Sequence, residues 1–171
     1  WLNPVETTEL FAAYAIPIAS ATLARDADQA ARAATAIFAT GNTVVVKISS
    51  PDILNKSDVG GVRLNLTSER AVHDATAEIL ERARTMRPKA RIDGVTIHPM
   101  ILRPRTRELI AGLADDPTFG PVVVFGRGGT AVEVINDKAL ALPPLDLNLA
   151  KDLIARTRVS RILKSYRDVP A

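Results

Sequence analysis

The residue pattern predicts an α+β fold in two lobes, with mixed sheets flanked by helices. Three observations carry that expectation. Up to Pro88, helical stripes of alanine and aliphatic residues alternate with β-branched runs, an order that lays helices on a sheet. Beyond Pro88 the texture changes to short strands set apart by glycine, proline and aspartate. A length of 171 residues, 47% hydrophobic and 24% charged, suits one ordinary domain or two small lobes sharing an interface. A first lobe over residues 1–90 and a second over 91–171 follow, with the change near Pro88–Ile92.

The elements read in order as follows. Pro4–Tyr14 is a short helix that Pro17 breaks, and Ile18–Leu23 is a short strand. Asp26 is an N-cap, and Gln29 three residues on completes a capping box. Ala27, Ala30, Ala31, Ala34, Ile37 and Phe38 then form one stripe that ends at Gly41-Asn42, and Thr43–Ile48 is a buried strand. Ser49–Gly61 is a long loop rich in turn residues, followed by the alternating strand Val62–Leu66. Thr67 or Ser68 caps a long helix with Val72, Ala75, Ile79, Ala83 and Met86 inward. Strands are expected at Gly94–Ile101, Arg107–Leu113, Val122–Phe125, Ala131–Ile135 and Ala139–Leu142. Asp146 opens a last helix to about Ala155, and the Arg-rich tail to Ala171 shows no period.

Composition excludes several classes. No run approaches the roughly 18–20 apolar residues of a membrane span, and no charged-then-apolar leader opens the chain. With no cysteine there are no disulfides, thiol nucleophiles or thiolate metal sites, which fits a reducing cytoplasm. A net charge of +3 with scattered basic residues and 4% aromatics is a poor nucleic-acid surface, so neither nucleic acid nor membrane is an expected partner. The chain opens on Trp1 rather than Met, as an excised or processed piece would.

Few residues stand out as chemistry. Lys47 ends the apolar run Val44–Val46, where a buried stem can carry an ammonium into a phosphate cleft, or simply snorkel to solvent. Lys56 and Ser57 add a second cation and a hydroxyl beside Gly60-Gly61, whose N–H groups can approach an anion unless the pair is an ordinary turn. Gly126-Arg127-Gly128-Gly129 follows a buried strand, but with a strand expected after it the dinucleotide fingerprint fails, leaving a hairpin with or without a ligand. Glu108 and Glu133 are hard oxygen donors suited to Mg2+ or ordinary solvated strand positions. His73 has no expected role, and His98 before Pro99 reads as structural. No Ser/His/Asp order and no paired-histidine metal site appears.

Taken together, three ordered segments resemble the ATP-grasp region of NDP-forming acyl-CoA synthetases. They are Val44-Val-Val-Lys-Ile-Ser-Ser-Pro-Asp-Ile-Leu-Asn-Lys-Ser-Asp-Val-Gly-Gly-Val62, Glu108-Leu-Ile-Ala-Gly112, and Asp116-Pro-Thr-Phe-Gly-Pro-Val-Val-Val-Phe-Gly-Arg-Gly-Gly129. Ala141-Leu-Pro-Pro-Leu145 and Arg156-Thr-Arg-Val159 look more like the branch fused to a GNAT-type protein lysine acetyltransferase. The resemblance implies a two-lobed ATP-grasp fold, ATP and Mg2+ held between the lobes, and acyl phosphate chemistry linking ATP to thioester formation. It also implies CoA-binding and ligase domains in the same polypeptide or complex. By position, Lys47 would contact phosphate, with Lys56, Ser57, Gly60 and Gly61 nearby. Ile97, His98 and Met100 would form the adenine hinge, Gly126, Gly128 and Gly129 would line the phosphate end, and Glu108 and Glu133 would lie near ribose or metal.

Three departures accompany the resemblance. Asn55-Lys56-Ser57-Asp58 stands where family members commonly have His-Lys-Ser-Asp, and an amide is no substitute for a histidine that carries phosphate. Pro99 stands where many members have glutamate, removing a carboxylate and a backbone donor. The chain stops before the Asp-Ile-Asn-Pro segment that the family places near the metal, so the C-terminal part of the fold is expected to be missing. Two expectations therefore compete: an ATP-grasp part of an ADP-forming ligase, and a catalytically degenerate regulatory module of an acetyltransferase.

Overall fold

In the computed structural model, which describes residues 2–103, 106–129 and 132–164, Asn3 caps the first helix, α1 (Pro4–Ala13). Its side chain accepts the Val5 and Glu6 N–H groups at 2.9 and 3.0 Å, while Glu6 accepts the Asn3 N–H at 2.7 Å. A short strand, β1 (Thr22–Ala24), leads to helix α2 (Ala27–Phe38), which buries Ala30 and Ala34. Asp26 caps α2 by accepting the Gln29 N–H at 2.7 Å. The Gln29 side chain reaches one residue further back than a capping box, taking the Arg25 N–H at 3.1 Å. The β-branched run forms β2 (Val44–Ser49), and the loop beyond it contains a 3-10 turn, Lys56–Val59.

Strand β3 (Val62–Leu66) and helix α3 (Glu69–Met86) follow, with Ser68 accepting the Ala71 N–H at 3.2 Å as the cap. Helix α3 buries Val72, Ala75, Thr76, Ile79, Leu80 and Ala83. Met86, expected inward, is 41% exposed, because it occupies the final turn, where the helix is ending. Strand β4 (Gly94–Pro99) completes an antiparallel sheet in the order β1-β4-β2-β3. Val44, Val46, Ile48, Val95 and Ile97 point from one face of this sheet into a core with the buried residues of α2 and α3.

The chain divides into two compact units, Trp1–Leu102 and Arg103–Ala171. The Pro88–Ile92 turn lies inside the first unit, because β4 beyond it is hydrogen-bonded between β1 and β2.

The second unit opens with β5 (Leu109–Asp116) and turns through Asp116, whose Oδ1 accepts the Thr118 and Phe119 N–H groups at 2.9 and 3.0 Å. Strands β6 (Gly120–Arg127) and β7 (Lys138–Ala141) complete a second antiparallel sheet, ordered β5-β6-β7. Both sheets are antiparallel throughout rather than mixed. Strand β5 is an edge strand, and Leu109 to Asp115 along it are exposed.

Between β6 and β7 lies a short helix, α4 (Val132–Ile135), where the alternation of Val132 to Ile135 predicted a strand. The run pairs with no strand among the described residues. It bonds locally instead, the Val132 N–H to the Gly129 carbonyl at 3.2 Å and the Asn136 N–H to the Val132 carbonyl at 2.9 Å. Asp146 caps α5 (Leu147–Ala155), accepting the Leu149 N–H at 2.8 Å, and α5 packs on β6 and β7. The first part of the Arg-rich tail forms a 3-10 turn, Val159–Ile162. Residues 165–171 lie outside the described part.

Candidate functional site

Register decides which residues of the first sheet meet. Lys47 on β2 stands opposite Thr96 on β4, and Val45 opposite His98, so all four share the face turned away from the helix-packed core. Lys47 is half-buried, and that burial, with the nearby Lys56 charge second, holds its ammonium below the ordinary lysine pKa. Thr96 is 2% exposed, and its hydroxyl lies 2.9 Å from His98 Nε2 and donates to the Lys47 carbonyl at 3.4 Å. Burial foremost, then the Lys47 charge, holds His98 below the ordinary histidine value, against a backbone hydrogen bond with Ser20 that raises it; Lys56 lowers it further.

Lys47, Asn55, Lys56, Ser57 and Asp58 line one open cavity of about 390 Å³. Two ammonium groups and a hydroxyl converging there suit a polyanion, and Asp58 balances part of the charge. Asn55 precedes the 3-10 turn in an extended conformation and offers only an amide. The sequence-based grouping of Lys47 with Lys56 and Ser57 is thus reproduced in space.

Gly60 and Gly61 have a different role from the expected one. The Gly60 N–H donates to the Ser57 carbonyl at 2.9 Å and the Gly61 N–H to the Lys56 carbonyl at 2.8 Å, so neither amide is turned to an anion. Gly60 adopts the left-handed conformation (φ 60°) that closes the turn. A Cβ on Gly61 would collide with Ile48 Cγ2 and lie 2.9 Å from the Lys56 carbonyl oxygen. The pair fastens the lysine-bearing loop to β2.

Of the hinge residues, Ile97 turns its side chain into the core at 1% exposure, while the Met100 N–H donates to the Thr43 carbonyl at 2.8 Å. His98 alone of the three joins the lysine cluster.

In the second unit, Glu108, Gly128 and Gly129 come together. The Gly128 N–H donates to the Glu108 carbonyl at 2.8 Å, and a Cβ on Gly129 (φ 94°) would lie 3.0 Å from Glu108 Oε2. With Arg107 and Arg127 they line a cavity of about 350 Å³. Gly126 does not join them: its missing Cβ lets β6 approach the Asp137 carbonyl and Lys138 on β7. The Glu133 side chain lies outside the described part. Among the described residues, no group of three His, Asp or Glu side chains converges as a metal site.

Two residues escaped sequence reasoning. Thr96 gains its place only from register with Lys47. Asp137 is 8% exposed; burial opposes its ionisation, but the Arg158 and Val159 N–H groups at 2.7 and 2.6 Å, with the Arg158 and Arg127 charges, hold its carboxyl below the usual range. Its partners come 21 and 22 residues later, so no local pattern marks it.

The whole chain, residues 1–171, matches the family model described as an ATP-grasp domain. It is 40% identical over 162 residues to an ADP-forming 4-hydroxybutyrate–CoA ligase of Nitrosopumilus maritimus (strain SCM1), covering 95% of this chain and 22% of that protein. It is 36% identical to subunit beta of the ADP-forming acetate–CoA ligase I of Pyrococcus furiosus, covering 95% of this chain and 68% of the subunit. Among solved structures, a dinucleotide-forming acetyl-coenzyme A synthetase 1 of Ca. Korarchaeum cryptofilum, in complex with coenzyme A, Ca-AMPCP and HgCl+, matches 99% of this chain and 72% of its own. Its TM-score is 0.83 and its identity 36%. The chain therefore spans about a fifth of the single-chain ligase and about two thirds of the separate subunit. From the match over all its residues and the share of the Pyrococcus subunit it covers, the chain belongs to the ATP-grasp family, as an ATP-grasp domain of the kind found in ADP-forming acyl-CoA ligases.

Proposed function

We propose that the chain binds ATP as the nucleotide-handling part of an ADP-forming acid–CoA ligase, coupling ATP, ADP and phosphate to acyl-CoA thioester formation. The observation that carries this is the half-buried Lys47 facing Lys56 and Ser57 across one cavity on the open face of the first sheet. A partly desolvated ammonium interacts more strongly with phosphate than a solvated one, and a second lysine spreads the charge along the chain of phosphates. Ser57 orients an oxygen by hydrogen bonding, and His98 contributes from β4.

Glu108, a hard carboxylate beside Gly128 and Gly129, suits Mg2+, with Glu133 the proposed second donor. Mg2+, when bound, neutralises charge on the phosphates, and fewer than three protein donors fits an ion that takes its remaining ligands from water and phosphate. CoA-binding and ligase domains of the same polypeptide or complex would supply the acyl and thiol chemistry, in the cytoplasm.

Calorimetry with Mg-ATP tests the reading. The wild-type chain should bind, and Lys47→Met should weaken binding at least about tenfold, a loss of about 1.4 kcal/mol. Absence of heat from both the chain and the full-length protein would sink the proposal. A second reading rests on Asn55: nucleotide binding without a phosphoryl relay. Acyl-dependent ADP release that is absent in the full-length protein and restored by Asn55→His would favour it over the ligase.

A further inference from the structure

His98 lies on the same sheet face as Lys47 and is linked to it through Thr96. Its Nε2 lies 2.9 Å from the Thr96 hydroxyl, which in turn donates to the Lys47 carbonyl at 3.4 Å. The Ser20 backbone, in the segment before β1, lies near enough to the ring to raise its pKa. The Ser20 backbone, His98, Thr96 and Lys47 thus form a polar chain across β4 onto β2, on the face opposite the core. The charged groups acting on the ring are Lys47 from β2 and Lys56 from the loop, both cationic, and the segment before β1 presents backbone.

We propose that His98 is a positioning residue for Lys47 and that nucleotide binding at this cluster is coupled to proton uptake by His98. The inference rests on the nucleotide reading given above. Without nucleotide, half-burial and two neighbouring ammonium groups disfavour the imidazolium. A polyphosphate resting on Lys47 and Lys56 reverses the sign of the local potential, so the imidazolium becomes the favoured form there. A group whose pKa rises on binding takes up a proton, and binding tightens as pH falls through the window between its free and bound values. The balance is one proton, from solvent to an imidazole nitrogen, with no bond to phosphate formed.

The test uses the full 171-residue chain and Mg-ATP in calorimetry near pH 6.5, in buffers of different ionisation enthalpy. Wild type should take up a fraction of a proton per nucleotide beyond that taken by His98→Gln, which keeps a donor and an acceptor for Thr96 and Ser20 but does not titrate. Equal proton counts with both proteins binding would overturn the coupling while leaving the nucleotide reading intact. No binding by this chain or by the full-length protein would overturn both. Ring NMR of the wild type gives an answer even if the variant fails to fold. The His98 titration should move to higher pH with nucleotide, and a His98 titration unchanged by nucleotide would overturn the proposal.

Discussion

At Asp137, one carboxylate oxygen accepts the Arg158 N–H and the other the Val159 N–H, so a single side chain starts the 3-10 turn after α5. Its pKa is lowered in the folded chain. The sign follows directly: the contribution is present above the unfolded carboxylate value of about 4 and is lost as pH falls through the folded value. Asp137→Asn places an N–H donor against one of the two N–H groups. Thermal unfolding should show a Tm several degrees lower than wild type at pH 7, with the gap closing below about pH 4. A gap of equal size at pH 3 and pH 7 would show that the charge is not what matters. His98 and Lys47 run the other way, as bases whose pKa values burial lowers, so that what their burial costs is felt below those values. Lys47 could be read from sequence because a cation ending an apolar strand is conspicuous by itself. Thr96 and Asp137 could not, since what they do depends on partners brought close by register and by a distant turn.

Elements were legible wherever a local signal and the long-range packing agree. The Asp26 and Ser68 caps, the alanine stripe of α2 and the apolar face of α3 all require only residues a few positions apart. Val132 to Ile135 misled because alternation is a strand signal only if a partner edge is within reach. The Gly60-Gly61 pair was read as a place where N–H groups can approach an anion, and both amides donate to the loop's own carbonyls. Gly61→Ala should therefore act through the loop as a whole. The added methyl meets Ile48 and the Lys56 carbonyl, and overpacking of this kind typically costs about 1–3 kcal/mol. Chemical denaturation should show that loss, and Mg-ATP affinity should fall with it because Lys56 and Ser57 move. Unchanged stability would mean that the loop has room that the Ile48 contact denies.

For the molecule as a whole, the family resemblance gave the ATP-grasp assignment, whereas the division into units did not emerge from composition. The strand texture after Pro88 looked like a new lobe, yet β4 belongs to the first sheet. Among the described residues no helix is long and apolar enough to cross a membrane, and several large apolar side chains are exposed. Some lie around β5: Leu109, Ile110, Leu113 and Phe119 are 41, 40, 73 and 66% exposed. A strand with one open edge and apolar side chains is a template for other strands. Pairing of this edge with that of a second copy is therefore the expected route of self-association. Leu113→Lys should raise the concentration at which light scattering begins, without changing Mg-ATP affinity, because it touches neither cavity. The side of β5 that faces solvent is thus where an added lysine is expected to keep copies of the chain apart.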